Sequence, residues 1–386
     1  MKPRIAVIGA GTAGCGAARR AAELGTREVV VFEKKTPASA SSGLSAGVVN
    51  VQTPDPIEIE LRLRTRETMF HLQNTRSLRF SRIGVIRFAL RDADVAKLEG
   101  SLHFQRTLGA NDARLLTRDE VKKIIPHVQC ADVVAGLYGP NEGHIDGHTY
   151  CAAMLEDAKD FGAKLRTNSE IIGYRKTKGG HSLKTKDGET EFDIVINAAG
   201  AWAGKVGEML GHPAPVRPEV HEVIIAKLPK NLGYAIPYCH FDKPGEKHGS
   251  IYFRQDGPDT LVTGLHSRVS VAGICATDFD FFNPINSDEY LQTVAEKLHE
   301  RLPLDEIGVK SGWYGLYPMS ADDKFMIGPY KADPTIIVAA GFGGVGMTSG
   351  GGGGACAAEW AILGKIISVP SVEAFLPDRE TLAGLW

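Results

Sequence analysis

Two apolar runs near the start of the chain enclose a segment rich in small residues. The first run is IAVI at residues 5–8 and the second is VVVF at residues 29–32, and the stretch between them is rich in alanine. This pattern predicts a buried strand, a helix and a second buried strand. The chain therefore begins with a strand-helix-strand unit.

Further along, longer segments alternate between helical and extended patterns. Helical spacing predicts helices over 56–76, 92–108, 149–164 and 286–302, the last with Asn286 as its N-cap. Three strands are predicted over 169–196, with a Lys-Asp-Gly turn. From about residue 213 the apolar positions alternate around an Asp-Gly-Pro-Asp turn, which is typical of an antiparallel hairpin. The change of pattern indicates a second, mainly antiparallel domain.

The first strand runs into the motif GxGxxG, formed by Gly9, Gly11 and Gly14. Such glycines permit a tight turn, close approach of backbone N–H groups to a pyrophosphate, and close packing of helix on strand. Glu33 follows the second strand, where a carboxylate would accept hydrogen bonds from a ribose hydroxyl. Because Glu33 would repel a ribose phosphate, FAD and NAD are favoured over NADP. The alternative is an ordinary strand-helix-strand unit with a glycine turn.

Two later segments could also bring bare backbone to a ligand. The sequence DIVINAAGAW, at 193–202, is a buried strand followed by small residues. A strand at 335–340 leads into Gly341, Gly343, Gly344 and Gly346, and then into an alanine-bearing helix. This second segment returns the chain to the cofactor domain and favours FAD over NAD.

Composition and charge exclude several other classes. The 386 residues carry a formal net charge of -2, which gives no electrostatic basis for nucleic-acid binding. The six cysteines form no CxxC pair, so neither a metal site nor a disulfide framework is indicated. With no segment typical of a membrane span, a cytoplasmic location is expected. Arg62, Arg64 and Arg66 are interpreted as a solvated helix face.

In this order, five motifs resemble the FAD-dependent D-amino acid oxidase family, which includes glycine oxidases and sarcosine oxidases. They are GAGTAG with Glu33, SGLSAG, INAAGAW, GLYPMSADDKFMIG and AAGFGGVG. The resemblance implies an α/β fold, in which a glutathione-reductase-like FAD-binding Rossmann domain carries a mainly antiparallel β substrate domain. The FAD-binding domain would comprise residues 1–84, 141–212 and 319–386, and the substrate domain residues 85–140 and 213–318.

The resemblance also implies where the cofactor lies. The glycine motif would hold the FAD pyrophosphate, Glu33 the adenosine ribose, and the loop around Ser42 the flavin side. Sarcosine oxidases attach flavin to a cysteine in the segment that here contains Gly315, so FAD is expected to bind without a covalent link. The expected cofactor-binding residues are Gly9, Gly11, Ala13, Gly14, Glu33, Lys34, Ser42, Gly43, Ser45, Ala46, Gly47, Ala199, Gly200, Trp202, Gly341, Gly343, Gly344, Val345, Gly346, Met347 and Thr348.

Family chemistry implies hydride transfer from the carbon beside an amine nitrogen to flavin N5, giving an imine that hydrolyses. The substrate would be a secondary amine or an N-substituted or D-amino acid. The family's carboxylate-binding cations are missing here, since Tyr317 and Thr348 stand at two of their positions. Arg254 is the candidate replacement, with a salt bridge or a contact to the flavin domain as its alternative role. The expected catalytic residues are Arg254, Tyr252, Tyr317 and Thr348, whereas His240 and His266 are expected to be structural.

The electron acceptor is left open by the sequence. Dioxygen and another acceptor are both compatible with an FAD-dependent amine or amino-acid oxidase or dehydrogenase. Partner subunits are possible, because some members of the family belong to hetero-oligomeric dehydrogenases. The competing hypotheses are an NAD-dependent dehydrogenase and a flavoprotein module whose FAD is structural.

Overall fold

Strands from three separate parts of the chain form one central sheet. The computed structural model describes residues 2–243, 250–266 and 288–382. The six strands lie in the order β19-β20-β13-β1-β2-β9, all parallel except for the β19–β20 pair. Their bounds are β1 Arg4–Ile8, β2 Glu28–Phe32, β9 Lys164–Arg166, β13 Ile194–Asn197, β19 Met326–Tyr330 and β20 Asp333–Ala340.

A second large sheet of eight strands has the order β18-β14-β17-β16-β15-β5-β7-β6. Its neighbours are antiparallel except for β15 and β5. The bounds are β5 Val85–Ala89, β6 Arg114–Leu116, β7 Ala135–Gly139, β14 Val216–Lys227, β15 Tyr238–Phe241, β16 Ile251–Gln255, β17 Thr260–Leu265 and β18 Gly308–Ser320. The hairpin predicted around the Asp-Gly-Pro-Asp turn is confirmed as β16 and β17.

Two smaller antiparallel sheets complete the described strands. The order β3-β8-β4 forms one and β10-β11-β12 the other. The second contains the three strands predicted over 169–196, and the buried segment that follows them enters the central sheet as β13. The bounds are β3 Val48–Val49, β4 Phe80–Ser81, β8 Gly143–Ile145, β10 Gly173–Thr177, β11 Gly180–Thr185 and β12 Gly188–Phe192.

Eight α-helices occur in the described part of the chain. They are α1 Thr12–Glu23, α2 Pro56–Thr75, α3 Asp92–Thr107, α4 Arg118–Ile124, α5 Gly147–Asp160, α6 Ala203–Leu210, α7 Asp288–Arg301 and α8 Gly346–Leu363. Among these residues, none of the helices combines the length and apolar composition needed to cross a membrane. The helices predicted over 56–76, 92–108 and 149–164 are confirmed within a few residues at each end. Asn286, the predicted cap of α7, lies outside the described residues.

One expectation about α2 is wrong. Arg62 and Arg66 are buried, with 5% and 9% of their surface exposed, so the three arginines do not form a solvated face. Arg62 pairs with Glu58 at 2.8 Å. The helix is covered on this side because its neighbours include α3 and α8, and an ion pair compensates burial of the guanidinium.

The two faces of the eight-stranded sheet differ in chemistry. One face contributes Ile86, Cys239 and Phe253 to a hydrophobic core, where the rings of Phe88 and Phe241 stack at 4.2 Å. Side chains alternate between faces along a strand. The intervening residues, which include Arg87, His240 and Tyr252, therefore face the other way. Successive parts of the chain contribute strands to the six-stranded sheet and to the eight-stranded sheet in turn. The domain boundaries at 84, 140, 212 and 318 stay a prediction.

Candidate active site

Two cavities meet at the carboxyl end of the central sheet. The first has a volume of about 400 Å³ and the second about 180 Å³. Both are lined by Gly11, Ser42, Ala198 and Gly200, so they form one elongated cleft. Crevices at the carboxyl ends of parallel strands are the usual ligand sites of such sheets.

The turn between β1 and α1 depends on glycine at two positions. Gly9 has φ of +103°, and a Cβ there would lie 2.5 Å from the carbonyl oxygen of Ala198. A Cβ on Gly14 would lie 1.9 Å from the carbonyl oxygen of Gly9. The backbone N–H of Thr12, the first residue of α1, donates to Ser42 Oγ at 3.1 Å. The turn and helix N-terminus thus offer backbone amides to an anionic ligand.

Glu33 is held rigidly at the end of β2. Its Oε2 accepts a hydrogen bond from the backbone N–H of Ala10, and its Oε1 accepts one from Lys35, both at 2.9 Å. Each carboxylate oxygen can accept further bonds from a ligand in the first cavity. The ammonium of the adjacent Lys34 lies 3.4 Å from the ring centroid of Trp202, a cation–π contact on the same cavity wall.

A second helix N-terminus lines the second cavity. Residues 343–348 form the last turn before α8 and its first residues. The hydroxyl of Thr12 donates to the carbonyl oxygen of Gly346 at 3.0 Å, which ties the starts of α1 and α8 together. A Cβ on Gly344 would lie 2.3 Å from the ring of Tyr317. Glycine there lets the ring reach the cavity wall.

Most residues expected to bind the cofactor line this cleft. Those on the first cavity are Gly9, Gly11, Glu33, Lys34, Ser42, Ala199, Gly200 and Trp202. Those on the second are Gly11, Ala13, Ser42, Ser45, Ala46, Gly47, Gly200, Gly343, Gly344, Val345, Gly346, Met347 and Thr348. Gly14, Gly43 and Gly341 line neither cavity and lie behind the turns that do.

The comparisons with known proteins agree with this geometry. The family model described as DAO, FAD dependent oxidoreductase, matches residues 4–360. The chain belongs to this family of FAD-dependent oxidoreductases. Its cofactor is FAD, and the cleft suits it because the glycine turn, the fixed carboxylate and two helix N-termini lie along one continuous space.

Three proteins are similar to this chain over most of its length. The mitochondrial dimethylglycine dehydrogenase of Mus musculus is 25% identical over 382 residues, which cover 93% of this chain and 42% of that protein. The chain thus spans about two fifths of the length of this relative. The glycine oxidase of Geobacillus kaustophilus (strain HTA426) is 23% identical and 87% of each chain is covered. The crystal structure of L-proline dehydrogenase from P. horikoshii has a TM-score of 0.86 with 25% identity, and 97% of each chain is covered.

Across the second cavity from the FAD-binding turns lies a wall of rings from the eight-stranded sheet. It includes Tyr238, Tyr252, Tyr317, His221 and His266. The rings of His221 and Tyr317 stack at 3.7 Å, and His266 lies 4.9 Å from the ring of Tyr252. Burial lowers the pKa of His221 and lowers that of His266 to about 3, so both imidazoles are neutral at pH 7.

The four expected catalytic residues do not all share this wall. Tyr252, Tyr317 and Thr348 line the second cavity, whereas Arg254 does not. Arg254 Nε donates to the carbonyl oxygen of Ala46 at 2.8 Å, and its Nη1 lies 2.7 Å from Asp256 Oδ1. These contacts match its alternative role, a salt bridge and a bond to the FAD-binding loop. The hydroxyl of Thr348 donates to the carbonyl oxygen of Val345 at 2.8 Å.

Among the residues of this cavity that sequence reasoning missed are the polar or aromatic side chains of Arg87, His221, Glu222 and Tyr238. Arg87 lies in the segment GVIRFAL, whose only signal was the alternation of a strand. A charged side chain within an apolar strand is the signal that could have singled it out.

A buried carboxyl group beside the cleft predicts a pH-dependent stability. Glu142 Oε1 accepts a hydrogen bond from the Val51 N–H at 2.7 Å, and its Oε2 accepts one from Gln52 Nε2 at 2.6 Å. Burial raises the pKa of Glu142 to about 7, a shift that these hydrogen bonds and Arg66 oppose. The folded state therefore holds its proton more tightly than the unfolded state, where the pKa is about 4.3.

This contribution to stability is complete below the unfolded pKa and is lost as the pH rises towards 7. We expect the melting temperature of the wild type to contain a decline between about pH 4 and 7 that Glu142→Gln lacks. Melting curves across this range measure it. Glu156→Gln, at an exposed position on α5, is the control and should keep the wild-type slope. An unchanged slope in Glu142→Gln would contradict the assignment.

Proposed function

We propose that this protein oxidises the carbon–nitrogen bond of a secondary amine or of an N-substituted or D-amino acid. The supporting observation is the second cavity, in which the FAD-binding turns face a wall of aromatic rings and neutral imidazoles. Its volume of about 180 Å³ suits a small substrate. Such a wall can orient an apolar C–H bond while offering few charged groups.

The main task of the protein in this reaction is to bind the substrate amine in its neutral form. An ammonium group does not release hydride, so the amine must be neutral when it reacts. The neutral imidazoles of His221 and His266 add no positive charge to the cavity wall, and each has one ring nitrogen that can accept a hydrogen bond. Tyr252 and Tyr317 enclose the substrate and limit access of water.

The cofactor would be held without a covalent link. Backbone amides at the start of α1 would face the pyrophosphate, Glu33 the ribose, and the residues around Gly344 the flavin ring. When bound, oxidised FAD accepts a hydride at N5, and the imine product hydrolyses in water. The amides at the start of α8 would favour negative charge nearby.

The names of two relatives support the choice of nitrogen. The mouse relative is named for dimethylglycine and the P. horikoshii structure for L-proline. In both of these compounds the nitrogen carries more than one carbon substituent. An N-substituted amino acid is therefore the substrate class that we propose for this chain, with dioxygen or another electron acceptor completing the reaction.

An anaerobic reduction experiment tests the proposal. The FAD-loaded protein is mixed, without oxygen, with a panel of N-methyl, N-carboxyalkyl, cyclic and D-amino acids, and its visible spectrum is recorded. We expect the flavin band to bleach with an N-substituted member of the panel. Admitting air then distinguishes an oxidase, whose band returns at once, from a dehydrogenase that needs another acceptor. A flavin band that no amine bleaches would overturn the proposed function.

A further inference from the structure

The second cavity has a single strongly basic residue among the residues that the structure describes. The family's expected cations are absent, because Tyr317 and Thr348 are uncharged and Arg254 is engaged with Asp256 outside the cavity. Of the described residues lining the cavity, Arg87 is the lysine or arginine that remains. A substrate carboxylate bound there has this guanidinium as its available charge partner.

Sheet register places Arg87 in a row of side chains that face the cofactor domain. Arg87 on β5 lies opposite His240 on β15, which lies opposite Tyr252 on β16. Paired residues point to the same face of a sheet. Tyr252 lines the second cavity, so the register directs Arg87 towards the same space.

In the part of the chain that the structure describes, the guanidinium of Arg87 has no polar partner. Within residues 2–243, 250–266 and 288–382 it makes no hydrogen bond or ion pair, although the residue is partly buried. An arginine in such a setting normally pairs with a carboxylate or phosphate. One carboxylate residue, Glu222, lines the same cavity, four strands away in the sheet order.

A neutral, buried histidine is the cross-strand neighbour of Arg87. His240 is 7% exposed and neither of its ring nitrogens has a hydrogen-bond partner in the described structure. The pKa of His240 is lowered mainly by burial and further by Arg87 and His266, so its imidazole is neutral. His240 lines neither the second nor the third cavity, so Arg87 is the member of this pair that a ligand in those cavities can reach.

A third cavity, of about 150 Å³, adjoins the second at Arg87, which lines both. The third cavity is otherwise lined by Gln52, Asp94, Asp242 and apolar residues of β5 and α3, among others. Asp94 is paired with Arg91 and Lys97, and Asp242 accepts a hydrogen bond from Ser250 Oγ at 2.6 Å. Among the described residues neither carboxylate forms an ion pair with Arg87, and Lys97, the other basic residue lining the third cavity, is paired with Asp94.

We infer that Arg87 binds the substrate carboxylate, so that the protein selects amino acids over simple amines. The inference rests on the proposed function, which named no residue for the substrate carboxylate, and it assigns that role to Arg87. The substrate's amine end then extends from Arg87 along the second cavity towards the FAD-binding turns.

The test compares each amino acid with the amine that lacks its carboxylate. L-Proline with pyrrolidine, and N-methylglycine with dimethylamine, form such pairs. For the pair that the wild type oxidises, we expect Arg87→Gln to lower kcat/KM for the amino acid on the order of 100-fold. The kcat/KM for the corresponding amine should change little. Arg87→Lys should retain part of the activity, and guanidinium ion in solution should partly rescue Arg87→Ala.

Binding of an unreactive probe gives a readout that is independent of turnover. Cyclopentanecarboxylate has the ring and carboxylate of proline without an amine, and cyclopentylmethanol lacks the charge as well. We expect the carboxylate alone to perturb the visible spectrum of the FAD-loaded wild type, and the perturbation to be lost in Arg87→Gln. Arg82→Gln removes a charge from a nearby exposed position and should behave as the wild type.

The outcomes separate the two proposals. Suppose that an amino acid reduces the wild type. If Arg87→Gln then lowers kcat/KM equally for the amino acid and for its amine, or lowers neither, the inference about Arg87 is wrong. If no amine reduces the wild type and the probe still binds through Arg87, the proposed function is wrong and the carboxylate subsite stands. If the probe does not perturb the wild type, the carboxylate subsite is wrong.

Discussion

We expect the Gly354→Ala variant to be purified without FAD and to unfold at a lower temperature than the wild type. Gly354 lies in the interior of α8, where a Cβ would come within 1.9 Å of the carbonyl oxygen of Ala13 on α1. Backbone atoms cannot yield as a flexible side chain can. The two helices would have to separate, and α1 begins with residues that line the cleft proposed to hold the pyrophosphate.

The sign of this prediction is opposite to the effect of helix propensity. Alanine is favoured over glycine in a helix interior by about 1 kcal/mol, whereas overpacking in a tight core costs about 1–3 kcal/mol or more. Gly100→Ala is the matched control, because no atom lies within 4 Å of a Cβ at this position in α3. It should leave FAD content unchanged and raise stability slightly. The ratio of FAD to protein and the melting temperature measure both variants, and full FAD content in Gly354→Ala would contradict the expectation.

We expect Glu359→Gln to lower the free energy of unfolding by about 1–3 kcal/mol, the usual cost of leaving a buried hydrogen-bonding group unsatisfied, since Arg20 keeps Glu23 as a partner. Glu359 is 0% exposed on α8. Its Oε1 lies 2.8 Å from Arg20 Nη2, and its Oε2 accepts hydrogen bonds from the backbone N–H groups of Ile367 and Ser368, both at 2.9 Å. The NH2 group of glutamine would face either the Arg20 guanidinium or the two backbone N–H groups, and all of these are hydrogen-bond donors.

The same arginine provides the control. Glu23 contacts Arg20 at 2.9 Å, but its side chain is 35% exposed. Exposed ion pairs contribute about 0–1 kcal/mol, so Glu23→Gln should remain within about 1 kcal/mol of the wild type. Denaturant unfolding of the FAD-loaded protein compares the two variants. Equal losses of stability would show that burial of Glu359 adds nothing.

The cofactor cleft could be predicted from the sequence because its determinants are local. The glycines at residues 9–14 and 341–346 specify backbone turns, and Glu33 follows directly from the end of an apolar strand. A short sequence segment contains everything that such a turn requires. The helices predicted over 56–76, 92–108 and 149–164 were likewise close to the observed ones, since helical spacing is also a local property of the sequence.

The substrate side could not be predicted in the same way, because it depends on pairing between distant strands. Arg87 reaches the cavity beside His240, and the strands that carry them are separated by about 150 residues. Register sets which of the charged residues of a strand face the cavity. Arg254, two residues after Tyr252, was the plausible candidate from sequence, and only the contacts with Ala46 and Asp256 assign it elsewhere.

The central sheet has a consequence for how the protein is made in a cell. Val195 on β13 pairs with Ile336 on β20, which is synthesised about 140 residues later, and α8 follows β20 in the chain. At about 5–20 residues per second, the inner edge of the nascent sheet waits many seconds for its partner strand on the ribosome. The complete cleft, which includes residues 343–348 at the start of α8, can therefore form only after that segment has been synthesised.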